Sequence, residues 1–326
     1  MKVKKVFVTS FVFFILILTV FLSACSFHFV QQTGPLTETV VAGQGKEKIV
    51  LVDISGVITA KKRTGPSLLP EKPNMISCVR EELSKAFTDK RVRGLILRIN
   101  SPGGTVTSSD IIYREIKKFK EAKKVPVVAC MMDMAASGGY YVALAADAIV
   151  AHPTTITGGI GVVAFKFNAE GLFEKVGIKD DSVQSGDKKD LLSPFRPNSE
   201  DERKILQTIV DELHERFISI VAENRAGLTR DEIISLADGR VYTTGQALSL
   251  KLIDKVGYLD DAIALLKKKA NITEAKTVVY HRPFSYRNNI YSGPFNPEIN
   301  TINLINIDMG SIKEIMGLQL LYLWMP

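Results

Sequence analysis

Cysteine, histidine and tryptophan are scarce in this chain of 326 residues, which holds three, four and one of them. So few cysteines exclude a disulfide-stapled scaffold, and none has the paired spacing of a zinc site. Cys78 and Cys130 lie in apolar helical or strand contexts and read as two buried thiols, not a disulfide. His28, His152, His214 and His281 are scattered without metal-ligand spacing, so neither a metal nor another cofactor is expected. Blocks of like charge are missing as well. The net charge of +7 is spread along helix faces, with no basic cluster interleaved with aromatic residues, which argues against a nucleic-acid partner. No internal repeat is evident. What is abundant is apolar sequence, 46% of the chain, enough to build the core of one large or two ordinary domains.

The first apolar run stands apart from the rest. Lys2, Lys4 and Lys5 precede an uncharged stretch from Val6 to Leu22, the pattern of an export signal. Leu22-Ser23-Ala24-Cys25 follows and resembles a bacterial lipobox, which implies cleavage before Cys25 and lipid on its sulfur. The alternative is an uncleaved anchor, since roughly 20 apolar residues span a bilayer. Either reading tethers the protein to a membrane of the cell envelope with its body outside the cytoplasm. Residues 1–25 are therefore set aside as signal or anchor and 26–47 as a linker; a folded domain is expected over 48–270, with a tail over 271–326.

Within that domain, short buried strands alternate with helical patterns, which predicts an α/β fold. Ile49–Ile54 reads as a strand, Met75–Phe87 as a helix and Val92–Ile99 as a second strand. This strand runs into Asn100-Ser101-Pro102-Gly103-Gly104, a turn at the position where α/β sheets place ligands. A helix over Ser108–Lys123 leads to the strand Val125–Met132. Ser137 follows, between small residues at the start of a packed helix over Tyr140–Ala146. A serine there is either an ordinary N-cap or a nucleophile beside unpaired backbone N–H groups. After a strand over Ala148–Ala151, Thr154–Val162 alternates small and branched residues and predicts a sharp bend. Short helical and extended pieces follow, at Glu170–Val176 and Asp181–Gln184. Lys188 and Lys189 sit in a charged loop, Ser199 with Glu202 forms a capping box for a helix reaching about Asn224, and the chain to Lys269 reads as a helical hairpin.

Several motifs occur in one order: Ser-Pro-Gly-Gly, Ala-Ser-Gly-Gly-Tyr-Tyr, Thr-Gly-Gly-Ile-Gly-Val, Ser-Gly-x-x-Lys-Asp, Gly-Arg-Val-Tyr-Thr and Leu-Ile-Asp. Together they resemble the signal peptide peptidase A (SppA) family, Ser/Lys serine peptidases of the bacterial envelope, over about Lys48 to Leu266. The resemblance is to its short, single-core form. It implies a Clp-protease/crotonase-like fold of repeated ββα units with a C-terminal helical region. Carried over by position, Ser137 matches the nucleophile and Lys189 the general base; the amides of Gly104 and Gly138 would hold the oxyanion. The family also implies a homo-oligomer whose dyad is shared between protomers, and substrates such as remnant signal peptides and unfolded segments. A lysine can serve as base once desolvation or a nearby cation keeps it neutral.

Three positions depart from the family pattern. Thr244 and Lys251 stand where glycines are usual, and Gly159 replaces a frequent serine that could orient the lysine. Two competing readings stay open: a protease acting on a membrane protein, as in the stomatin-associated type, and a catalytically silent crotonase-like scaffold that binds peptides or acyl groups. The apolar end, Leu320–Pro326, would either occupy a substrate groove or pack on the core.

Overall fold

The computed structural model describes residues 35–61, 73–282, 290 and 319–324. Its strands are β1 (Thr37–Ala42), β2 (Lys48–Ser55), β3 (Val92–Ser101), β4 (Gly103–Thr105), β5 (Val127–Ala136), β6 (Ala148–Ala151), β7 (Ile156–Gly158), β8 (Val163–Phe165), β9 (Val241–Thr243), β10 (Lys255–Val256), β11 (Lys276–His281) and β12 (Gln319–Leu323). Its helices are α1 (Met75–Thr88), α2 (Val106–Lys123), α3 (Gly138–Ala143), α4 (Glu170–Lys175), α5 (Glu200–Asn224), α6 (Arg230–Leu236), α7 (Thr244–Ser249) and α8 (Leu259–Lys269).

The main sheet runs β1-β11-β2-β3-β5-β6-β10, and all its neighbours are parallel except the edge pair β1 and β11. A parallel sheet is covered on both faces, which is why its strands are apolar almost throughout. The period of two still sorts them. Val50, Val52 and Ile54, Leu95, Leu97 and Ile99, and Val127, Ala129 and Met131 share one core with α1, α2, α3 and α5. The intervening Ile49, Leu51, Ile96, Val128 and Cys130 share a second core with α8. That helix offers Leu259, Ala262, Ile263 and Leu266, the i, i+3, i+4, i+7 stripe of a single buried face. The result is the mixed α/β layering of the Clp-protease type, with the turns after β3 and β5 meeting at the carboxyl ends of adjacent strands.

A second, antiparallel sheet stands at those ends, ordered β4-β12-β8, so the C-terminal strand lies between two short strands of the domain.

Several expectations need correction. Residues 37–42, assigned to a linker, form β1, whose backbone pairs with β11 from the supposed tail; two segments of weak periodicity find their hydrogen-bond partners in each other. β11 then pairs parallel to β2 and extends the main sheet beyond residue 270. The stretch 225–269 is not purely helical, since β9 pairs with β7 and β10 with β6. No strand forms over Asp181–Gln184. Cys130 is buried, whereas Cys78 is only half-buried; neither is in a disulfide. The Ser199–Glu202 capping box is present, with Ser199 Oγ accepting the Glu202 N–H and the Glu202 carboxylate accepting the Ser199 N–H. Cys25 and the export signal lie outside the described residues. Among the described residues, no helix is long and apolar enough to cross a membrane and no cluster of His, Cys, Asp and Glu could hold a metal.

Candidate active site

Ser137 sits where β5 turns into α3, at φ 54° and ψ −117°, outside the regions that L-residues normally occupy. Such a conformation costs about 1–3 kcal/mol and persists only where the surroundings over-determine it. Here they do. The Ser137 N–H donates to Gly158 O at 2.7 Å, and Ser137 O accepts the Tyr141 N–H at 2.9 Å. Thr157 Oγ1 donates to Ala135 O at 2.7 Å, tying β7 to the strand that delivers the serine. Ser137 is 2% exposed. It occupies the N-cap position of α3, but its side chain makes no capping bond to the helix.

The glycines around it hold a close approach of backbones. Ser101 Oγ accepts the Gly103 N–H at 3.1 Å and donates to Gly56 O at 2.7 Å, fixing the turn after β3. Gly103 has φ +102°, and a Cβ there would stand 1.9 Å from Tyr322 O and 2.7 Å from Gly138 N. A Cβ on Gly138 would meet Ser109 Oγ at 2.4 Å and Tyr322 O at 3.1 Å. Gly104 lies against the backbone of Ile58, whose oxygen would be 1.9 Å from a Cβ. The structure thus gathers Ser137, Gly138, Gly103 and Gly104 at one point, with the Tyr322 carbonyl of β12 among them. Gly159, at φ +64°, is beside the serine as well: a Cβ there would be 3.1 Å from Ser137 N and 3.5 Å from Ser137 Cβ. A side chain at this position would stand next to that of Ser137.

The remaining motifs hold this corner in place. The Gly159 N–H donates to Arg240 O at 2.8 Å and the Gly239 N–H to Ile160 O at 3.0 Å, so the Thr-Gly-Gly-Ile-Gly and Gly-Arg-Val-Tyr segments brace each other. Tyr140 Oη donates to Leu252 O at 2.9 Å, and the Asp254 carboxylate accepts the Ile149 N–H at 2.7 Å, which accounts for Leu-Ile-Asp. The departures have local explanations too. Thr244 Oγ1 binds His152 O at 2.7 Å and Thr155 O at 3.0 Å, holding the turn before β7. Lys251 has φ +58°, the left-handed conformation for which glycine is the usual residue.

Lys189 is placed differently. It is exposed, in the loop between α4 and α5, and no hydrogen bond joins it to Ser137 within the chain. Its loop is nevertheless well anchored. Asp190 accepts a two-pronged bond from Arg196 at 2.6 and 2.7 Å, and the same guanidinium grips the buried Glu202 at 2.7 and 2.9 Å. Arg196 holds the Asp190 carboxyl below its ordinary range, and holds that of Glu202 at about 2 with the help of the Ser199 N–H. Arg196 is the residue that sequence reasoning passed over. Gly103 had a signal, the tight Pro-Gly-Gly turn, but Arg196 was one arginine among many.

The profile of Peptidase family S49 matches residues 118–273, and that of Clp protease residues 74–155. A protein of Enterococcus faecium provisionally named signal peptide peptidase SppA is 38% identical over 245 residues, covering 74% of this chain and 70% of that protein. The chain belongs to peptidase family S49. It is a serine peptidase of that family. The chloroplastic serine protease SPPA of Arabidopsis thaliana is 37% identical over 253 residues, 76% of this chain but 37% of that longer protein. Among solved structures, a mutant of a membrane-bound stomatin-specific protease aligns with a TM-score of 0.44 at 17% identity, over 68% of this chain and 85% of that one. The S49 match includes both Ser137 and Lys189, and the Clp match includes Gly104, Ser137 and Gly138.

Proposed function

We propose that this S49 peptidase is a membrane-anchored endopeptidase of the bacterial envelope that works through a Ser137/Lys189 dyad shared between neighbouring copies. Its substrates on this reading are extended apolar peptides, remnant signal peptides among them. The observation that carries the proposal is the strained Ser137, poised against the Gly104 and Gly138 backbone with a peptide carbonyl between them.

The chemistry is acyl transfer. Ser137 Oγ attacks the scissile carbonyl while neutral Lys189 takes its proton, and the amides of Gly104 and Gly138 stabilise the oxyanion. The intermediate collapses as Lys189 protonates the leaving amine. Water, deprotonated by Lys189, then releases the acyl group and restores the serine. A lysine does this once it is desolvated, and Lys189 is exposed in the single chain, so the reading requires a second copy to cover it. Exposed Phe167, Leu172, Val176, Ile178 and Val183 flank the same loop and are suited to such a contact. The positively charged, apolar N-terminal segment and the lipobox-like Cys25 support the anchor and the location outside the cytoplasm.

The test is complementation by mixing. Ser137→Ala and Lys189→Ala proteins are each expected to be inactive toward peptides, and co-assembled mixtures to regain part of the activity. Mixed assemblies, verified by mass, that stay inactive would exclude the shared dyad. A Lys189→Ala protein that still reacts with a fluorophosphonate as fast as the parent would exclude Lys189 as the base.

A further inference from the structure

Helix α1 divides into two faces. Val79, Leu83 and Ala86 are buried in the first core, whereas Ser77, Arg80, Glu81 and Lys85 follow one another at i, i+3, i+4 and i+8 along the outer side. That side borders an open groove of about 690 Å³, completed by Pro35 and Leu36 just before β1 and by Arg282 just after β11. The groove lies away from the corner that holds Ser137 and shares no residue with it.

Charge in the groove is unbalanced. Among the described residues Glu81 is the one acid on its wall, and Arg282 already donates to it at 2.6 Å. Lys85 has only neutral partners: it donates to Leu36 O, and its Nζ stands 4.9 Å from the centre of the Tyr280 ring. Arg80 is exposed, and its guanidinium makes no hydrogen bond or ion pair to the described residues. A single unpaired surface arginine is ordinary. Two uncompensated cations with a third beside them, all turned to one groove, make a place for an anion.

The donors present favour a phosphate ester. A guanidinium can bind two phosphate oxygens at once, and an ammonium adds a compact charge on a flexible stem. Pro35 and Leu36 add an apolar lip beside the cations, which a free phosphate ion leaves unused and the glycerol end of a lipid can cover. Position argues the same way. Only ten residues separate Pro35 from Cys25, and a segment of that length reaches no farther than about 35 Å. An anchored chain therefore keeps the mouth of the groove within that distance of the bilayer surface.

We infer that the groove between α1 and the segment leading into β1 binds the phosphate of an anionic phospholipid headgroup, with Arg80 and Lys85 as its main charge contacts. Its role is to hold the folded body against the membrane surface. For its lipid source the inference rests on the anchor proposed above, and it is independent of the peptidase chemistry.

The test is lipid retention by the full-length protein in a neutral detergent, read by native mass spectrometry with phosphatidylglycerol or phosphatidylcholine added in equal amounts. One phosphatidylglycerol per chain is expected to be retained, with phosphatidylcholine, whose phosphate carries its own cation, at least about tenfold weaker. In Arg80→Gln/Lys85→Gln the retention is expected to weaken by about ten- to a hundredfold, the worth of two partly exposed charge-assisted contacts. Glutamine can still donate to Leu36 O, and circular dichroism checks that the fold is kept. Lys268→Gln/Lys269→Gln, which removes as much charge from the end of α8, is expected to retain the lipid as the parent does. Equal retention of the two lipids, or no loss in the Arg80/Lys85 variant, would overturn the site. Glycerol 3-phosphate binding as tightly as phosphatidylglycerol, with the same dependence on Arg80 and Lys85, would overturn the lipid as its source and leave a soluble phosphate ester. A chain that washes from membranes without detergent would overturn the anchor instead, and the retention result would still read the groove.

Discussion

Ser137 joins backbone strain to the chemistry proposed for it. Its φ of 54° with ψ of −117° lies in territory that glycine enters freely and alanine does not. Ser137→Gly is therefore expected to be more stable than Ser137→Ala by about 1 kcal/mol, with both proteins inactive; thermal unfolding of the two measures it, and equal stabilities would mean that the serine carries no backbone strain. Gly103 gives the companion prediction. A methyl group there would stand 1.9 Å from the Tyr322 carbonyl oxygen, in the space proposed above for a scissile carbonyl. Gly103→Ala is expected to lower kcat by about 10²–10³, the loss seen when an oxyanion donor is put out of use, in a protein that still folds by circular dichroism. The otherwise natural choice, Gly104→Pro, deletes an N–H but also drives a side chain into the Ile58 backbone, so its loss of activity would not isolate the oxyanion role.

At the scale of elements, the loop carrying Lys189 depends on how it is fastened to the first turn of α5. Arg196 spans Asp190 on the loop and Glu202 on the helix, so removing it frees both ends of the clamp. The Glu202 carboxyl has its folded value depressed to about 2 from an ordinary 4.5, first by the Arg196 side chain and then by the Ser199 N–H. A depressed acid stabilises the fold fully above its unfolded value and loses that contribution as pH falls through the folded one. The window is thus pH 4.5 down to about 2. In Arg196→Gln the Glu202 titration, followed by NMR, is expected to move up toward 4.5, with faster amide exchange in the loop around Lys189. An unmoved Glu202 titration would show that the helix N-terminus holds the acid without Arg196. The ties among β1, β2 and α1 follow the same logic. Lys48 is buried and reaches Glu38 at 2.6 Å and Asp89 at 2.8 Å, so Lys48→Ala removes the cation that two carboxylates share, leaving Asp89 with Arg91, and is expected to cost about 1–3 kcal/mol in denaturant unfolding.

For the whole molecule, the decisive question is what covers the exposed apolar residues near Lys189. Leu172 and Val176 are 62% and 60% exposed in the single chain. The double substitution Leu172→Asp/Val176→Asp is expected to leave unfolding of the chain within about 0.5 kcal/mol of the parent, as surface changes do, while shifting sedimentation to a smaller species and removing peptidase activity. Retained activity in a verified monomer would rule out a dyad built between chains.

The sequence alone determined a good deal. Alternating apolar strands and helical patterns, with glycine turns at strand ends, specified a parallel α/β layering, because local periodicity is a direct record of which faces are buried. The capping box and the Pro-Gly-Gly turn after β3 were legible for the same reason, a few adjacent residues carrying all of their geometry, whereas β5 runs on past Met132 to Ala136. The strand-to-helix junction at Ser137 was legible in its glycine-rich surroundings. Other features were settled only by tertiary structure. β1 and β11 are strands because each completes the other's backbone hydrogen bonds across more than two hundred residues, which no local pattern records. Arg196 became an anchor only when folding set Asp190 and Glu202 on either side of its guanidinium. The apolar end of the chain had two open destinations, core or groove. Residues 319–323 lie between β4 and β8, because that gap supplies free backbone partners to an extended strand and an aromatic box to Tyr322, and neither exists until the distant segments that form them have packed.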